Sequence, residues 1–263
     1  MQINSWFASL IIIVTLAFVS GCSSTNDETV DGSETEQTTA QNSDPKDPLE
    51  SINRSIWTFN WDYLDKYVFK PVSQAYVGYV PSPIRSGLYN VAVNINEPFT
   101  VVNNLLQLKF QKAGVATGRF VLNSTVGLLG WFDVAKHAGL MREEEEFGEV
   151  LGYYGVGDGP FLMLPVLGPS SVRDEAGDLV DGYYWPLAII DFWPNVARKL
   201  IIGLETRAQL ADQETLLNES LDPYEFVKGA YFQNINYKVH DGNPPVIVDE
   251  QEEEELDDFL EEF

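Results

Sequence analysis

The chain has 263 residues, 44% hydrophobic and 13% aromatic, enough for one core-forming domain with tails and too few for a multidomain assembly. Forty acidic residues against sixteen basic give a net charge of −24, which excludes a phosphate-neutralising surface, so no nucleic-acid partner is expected. Two histidines, His137 and His240, and one cysteine, Cys22, exclude an internal disulfide and a Cys/His zinc site, and neither a metal nor a cofactor is expected.

In chain order, Trp6 to Val19 is an apolar run of 14 residues, short of the roughly 20 that a spanning helix needs. Val19-Ser20-Gly21-Cys22 follows directly and resembles the lipobox of bacterial lipoproteins. Residues 1–21 therefore read as a signal peptide, and Cys22 as the lipidated first residue of a protein facing the periplasm. With Ser23 after the cysteine, the resemblance implies the outer membrane. Residues 22–46 are mostly Ser, Thr, Gln and acids with no aromatic, too polar to offset their ordering entropy, and read as a disordered acidic tether.

At Asp47-Pro48-Leu49-Glu50 a helix start appears, with Asp as N-cap, Pro in the first turn and Glu three residues after the cap. Leu49, Ile52, Ile56, Phe59 and Tyr63 step by three and four, with Trp57, Trp61, Leu64 and Phe69 beside them. That face is broader than a core stripe requires; burial and a place at a membrane interface both account for it. Pro81-Ser82-Pro83 opens a second helix carrying Ile84, Leu88, Val91 and Ile95, and Pro98 a third reaching Phe110. Gly114 to Gly118 has small-x-x-x-small spacing, which permits close helix approach. A further helix is expected over Glu143–Tyr153, ending at Gly155.

Gly155-Val-Gly-Asp-Gly-Pro160 then leads into Phe161-Leu-Met-Leu-Pro165. A phosphate cradle would need a helix N-terminus here, and the next residues are an apolar, proline-interrupted loop. Ser171 with Asp174 reads as a helix cap, and Arg173 as an ion-pair partner of Asp174, Asp178 or Asp181. Tyr183 to Trp193 forms a second aromatic belt; Asn195 is expected to cap a long helix, and Asp222-Pro223 to start the last one. No alternation is long enough to predict a sheet. Residues 241–263 read as a disordered acidic tail, 249–263 alone holding ten acids and no base.

A hydrolase would need a nucleophile with a histidine base, and no Gly-x-Ser-x-Gly elbow exists, so the chain is not expected to be an enzyme. The ordered series Asp47-Pro-Leu-Glu-Ser-Ile-Asn-Arg54, Tyr79-Val-Pro-Ser-Pro-Ile-Arg85, Asn96-Glu-Pro98, Arg119-Phe-Val-Leu-Asn123, Gly127-x-x-Gly-x-x-Asp133, Phe147-Gly-x-x-Leu-Gly-x-Tyr, Leu164-Pro-x-Leu-Gly-Pro169 and Glu205-Thr-Arg207 resembles the MlaA (VacJ) lipoproteins over residues 47–240. The resemblance implies an all-α, ring-like amphipathic lipoprotein embedded in the outer-membrane leaflet, with irregular Gly/Pro-rich loops. It also implies a function: removing mislocalised phospholipids from the outer leaflet through an amphipathic channel to a periplasmic MlaC-like carrier, in association with a trimeric porin. The alternative is a structural lipoprotein that accompanies porins and has no lipid path. If a channel exists, Phe161, Leu162, Leu164 and Val166 are its expected lining; an ordinary buried hydrophobic loop is the other reading of that segment.

Overall fold

The computed structural model describes residues 44–245. The expected signal peptide, Cys22, most of the tether and the tail from residue 246 lie outside the described residues. The fold is helical: α1 (Glu50–Thr58), a π-helical stretch (Phe59–Phe69), α2 (Lys70–Tyr79), α3 (Ser82–Asn94), α4 (Glu97–Leu106), α5 (Phe110–Thr125), α6 (Val134–His137), α7 (Phe147–Tyr153), α8 (Val172–Asp181), α9 (Phe192–Gln209), α10 (Glu214–Glu219) and α11 (Pro223–Val239). Among the described residues no helix is long and apolar enough to cross a membrane.

The chain from Glu50 to Tyr79 is one continuous helix whose middle winds as π. A π turn closes its hydrogen bonds over five residues, so side chains five apart stack on one side. Two side chains tie this stretch to the rest of the fold: Asn60 donates to the Leu164 carbonyl at 2.8 Å, and Asp65 holds Arg207 of α9 through two bonds of 2.7 and 2.9 Å. On the aromatic face Trp57 and Trp61, one α-helical turn apart, stack at 5.5 Å.

The expected helix start needs correcting. Leu49, not Asp47, precedes the first helical residue, and Asp47 is buried. It accepts from Asn53 Nδ2 at 2.8 Å and from the Tyr224 hydroxyl, tying the start of the domain to α11. Asn53 also donates to the Phe161 carbonyl at 3.0 Å and accepts from Met163 N–H at 2.9 Å, and Arg54 forks onto Asp222. The motif at 47–54 is thus a clamp across the two ends of the fold.

A short sheet is present where none was expected: β1 (Phe161–Leu164) pairs antiparallel with β2 (Gly168–Ser171), Phe161 opposite Ser171 and Leu164 opposite Gly168. Four-residue strands are too short for alternation to show in sequence. The helix of 143–153 begins only at Phe147, because Glu146 takes the N-cap and shares a capping box with Glu149. Asn195 lies inside α9, whose N-cap is Asp191. Pro81 before α3, Pro98 in the first turn of α4 and Asp222 as N-cap of α11 match the expected starts.

The apolar core is small, centred on Phe161, Met163 and Tyr224 with Ile56, Trp57, Tyr231 and Phe232 around them. Among the described residues thirteen buried side chains are apolar and twenty-one polar or charged, so most of the interior is hydrogen-bonded instead of greasy. Arg119 pairs with Glu97 at 2.7 Å and Asp133 at 3.2 Å; Asn123 donates to the same Asp133, and Arg85 meets Glu205 at 3.1 Å. Arg173 meets Asp174 of its own helix at 3.6 Å, one of the expected pairs, and also reaches Asp158 at 2.6 Å across the glycine loop.

Candidate functional site

Two cavities lie side by side between α7, α8, α9 and the β1–β2 turn. The first, about 320 Å³, is walled by Leu164, Leu167, Tyr231 and Ile235 on its apolar side and by Glu149, Asp174 and Lys238 on its polar side. The second, about 460 Å³, is walled by Val93, Phe99, Leu187 and Ile202 and by Arg142, Glu144, Asp181 and Arg198. Four residues border both: Glu146, Leu167, Asp178 and Lys199.

The walls are set by a backbone-to-backbone crossing of α7 and α8. A Cβ on Gly177 would fall on the Gly148 backbone, so only glycine lets α8 bring Asp174 and Asp178 beside Glu146 and Glu149. Ser171 accepts from Asp174 N–H at 3.2 Å and fixes where α8 begins.

Most charges on these walls are paired. Lys238 donates to Glu149 at 2.7 Å and Glu146 at 3.3 Å. Burial pushes the Glu149 carboxyl up further than Lys238 pulls it down, and burial's opposite effect on Lys238 is outweighed by Glu146 and Glu149, which hold its ammonium charged. Arg142 meets Glu144 at 2.9 Å, the Tyr231 hydroxyl donates to Asp174 at 2.7 Å, and Ser170 donates to Glu175 at 2.6 Å. Arg198 donates to Asn96 at 2.5 Å and Asn195 at 3.1 Å, and its burial holds the guanidinium below its ordinary range. Asp181 accepts from Asn103 and from Phe147 N–H, both at 2.8 Å, yet burial pushes it up to about 6. Asp178 is an exposed side chain opening onto the cavities; loss of part of the water around its carboxyl, with Glu146 near, pushes it up to about 6.

The expected lining residues divide. Phe161 is fully buried in the aromatic core, so its assignment to a channel wall is corrected: β1 alternates, and Phe161 and Met163 take the inward side. Leu162 is half-buried on the opposite side of the strand, Leu164 lines the first cavity, and Val166 stands exposed in the turn at φ 72°. Leu167, which the sequence reading passed over, borders both cavities. So do Glu146 and Lys199; the acid run Glu143–Glu146 inside a domain otherwise near charge balance was the signal for the first of these. Neither histidine borders these cavities, and each ring bonds a backbone carbonyl, His137 that of Asp133 and His240 that of Asn236.

Outside the cavities the surface is rich in apolar side chains. In the belt after α8, Tyr183 is 83% exposed, Phe192 70% and Trp193 73%. Leu128 and Leu129 hold φ of 53° and 60°, a left-handed backbone costly for leucine, and both remain exposed. Apolar side chains presented at that cost fit an environment that is not water.

A family described as MlaA lipoprotein matches residues 45–238. The chain is 43% identical over 199 residues to the intermembrane phospholipid transport system lipoprotein MlaA of Escherichia coli strain K12, covering 74% of this chain and 79% of that protein. It is 34% identical over 253 residues to the Haemophilus influenzae protein of the same description, covering 93% and 94%. A solved structure reported as "Structural basis for maintenance of bacterial outer membrane lipid asymmetry" superposes with a TM-score of 0.71 at 42% identity, covering 73% of this chain and 98% of that one.

Proposed function

The chain belongs to the MlaA lipoprotein family, and from that premise we propose that it moves phospholipids out of the outer leaflet of an outer membrane and hands them to a soluble periplasmic carrier. The observation that carries this reading is the pair of adjoining cavities, each with one charged and one apolar side, in a body whose outer surface is itself apolar. A phospholipid needs both surfaces along its path: charge and hydrogen bonds for the headgroup, hydrocarbon for the acyl chains. Leu164 and Leu167 brush the acyl chains. Transfer is passive, with no bond made or broken by the protein.

Cys22 carries the lipid anchor, the tether of residues 22–46 gives the domain reach from it, and the belt from Tyr183 to Trp193 seats in the headgroup region. Association with a trimeric porin places the body beside the leaflet it drains.

Two measurements test the reading together. Mass spectrometry of the detergent-purified protein should find bound phospholipid, and a strain lacking the gene should accumulate phospholipid in its outer leaflet. Replacing Leu164 by Asp should reproduce that accumulation, while replacing either histidine by Ala should not. Purified protein free of phospholipid, with a normal outer leaflet in the deletion strain, would leave a structural partner of porins as the better description.

A further inference from the structure

The shared border of the two cavities carries one more assignment, which rests on the lipid passage proposed above. Asp178 of α8 and Lys199 of α9 both face both cavities. Around them the wall charges are engaged: Lys238 with Glu146 and Glu149, Arg142 with Glu144, Arg198 with Asn96 and Asn195, Asp174 with Tyr231, Glu175 with Ser170, Asp181 with Asn103. Asp178 and Lys199 feel one another's charge without meeting as an ion pair, and neither of these exposed side chains has a hydrogen-bond or ion-pair partner among the described residues. One acidic and one basic side chain, both exposed, are therefore left facing the same space, with Leu167 beside them.

We propose that Asp178 and Lys199 form a headgroup station for zwitterionic aminophospholipids, Lys199 taking the phosphodiester and Asp178 the primary ammonium. The chemistry matches piece by piece. A phosphodiester is a compact anion that a flexible ammonium such as Lys199 can follow. A primary ammonium a short linker away is a donor-rich cation for Asp178, with Glu146 adding to the field behind it. The diacyl part then lies on the side of Leu164, Leu167 and Ile235. An anionic headgroup bearing only hydroxyls would satisfy Lys199 but leave Asp178 without a cation. It would also add negative charge to a wall where Glu144, Glu146, Glu149, Asp174, Glu175, Asp178 and Asp181 already outnumber Arg142, Arg198, Lys199 and Lys238. The carboxyl of Asp178, to which Lys199 is a nearby charge but not an ion-pair partner, gains a cation in direct contact.

The test uses the full-length lipoprotein in detergent micelles containing equal amounts of phosphatidylethanolamine and phosphatidylglycerol with the same acyl chains, followed by repurification and mass spectrometry of the retained lipid. Retained phosphatidylethanolamine should exceed phosphatidylglycerol by about fivefold, the ratio expected from one solvent-accessible ion pair. Asp178→Asn should bring the ratio close to one by lowering the retained phosphatidylethanolamine with phosphatidylglycerol little changed, and Lys199→Gln should lower both lipids together. Lipid retained by the parent in equal proportions, or a preference unchanged by Asp178→Asn, would overturn the station and leave the passage standing. No lipid retained by the parent would overturn both.

Discussion

Arg119 offers the sharpest test of how this interior is held. Its side chain and that of Glu97 are each only 3% exposed, and the guanidinium spans Glu97 at 2.7 Å, the Leu140 carbonyl at 2.6 Å and Asp133 at 3.2 Å. Arg119→Met keeps the volume of the stem and strands Glu97 without a counter-charge. Breaking a buried pair on one side costs about 3–5 kcal/mol. In a domain of this size 1 kcal/mol moves a melting temperature by about 2–4 °C, so a fall on the order of 10 °C is expected. Circular dichroism melts of the detergent-solubilised protein measure it. Because burial already pushes Glu97 up more than Arg119 draws it down, the carboxyl of the variant should take up a proton readily. A carboxyl whose folded value is raised contributes stability that is present in acid and lost as the pH rises, so the variant's deficit should shrink on acidification. The double variant Glu97→Leu with Arg119→Met removes both charges and should melt above the single one. A single variant as stable as the parent, or a double variant no better than the single, would refute the claim that a dry, paired charge holds α4 to α5.

Three further outcomes are expected. Asp181, raised from 3.8 to about 6, contributes roughly 3 kcal/mol that is present below its ordinary value and lost as the pH climbs through about 6; Asp181→Asn should flatten that part of the stability profile, and identical profiles would count against the burial argument. Gly177→Val should cost about 1–3 kcal/mol by forcing α7 from α8 and should lower the lipid retained by the purified protein, since both helices wall the cavities. Phe192→Ser with Trp193→Ser, made in protein whose Cys22 is also Ser, should weaken flotation with phospholipid vesicles by tenfold or more, at about 1.5–3 kcal/mol for each large side chain no longer buried in lipid; undiminished flotation would place the bilayer contact elsewhere.

Helix starts were the most legible part of the chain, because proline and capping residues act within a turn of themselves. Pro81, Pro98, Ser171 and Asp222 each do locally what their chemistry dictates. Asp47 looked the same and is not, since a buried partner 177 residues away, Tyr224, claims its carboxylate. The lining of the site was legible only at Leu164, for a related reason. Periodicity identifies apolar side chains that gather, and Phe161 does gather, but in the core; the cavities are bordered as much by charges on α7, α8, α9 and α11 as by apolar side chains. Asn103 finds Asp181 78 residues on and Asn60 finds Leu164 104 residues on, and no local pattern announces such pairs. The π winding escaped as well, because apolar residues crowd both candidate faces between Phe59 and Phe69 and suit a period of four or five as readily as 3.6.

The partition of side chains ties these observations to one another. In water, a body with Tyr183, Trp193, Leu128 and Leu129 outside and Arg119, Glu97, Asn103 and Asp181 inside would be arranged backwards. Against hydrocarbon the same arrangement is the stable one: the apolar exterior loses nothing, and every polar group must find its partner within the protein, as Arg119, Asn123 and Asp133 do with one another. An interior already built of hydrogen-bonded charge then needs only a place where pairing stops for a headgroup to be accommodated. Asp178 and Lys199 are such a place, bordered by Leu167. The exposed aromatic belt and the charged cavities are therefore two consequences of a single constraint, an apolar exterior wrapped around an interior of polar and charged groups.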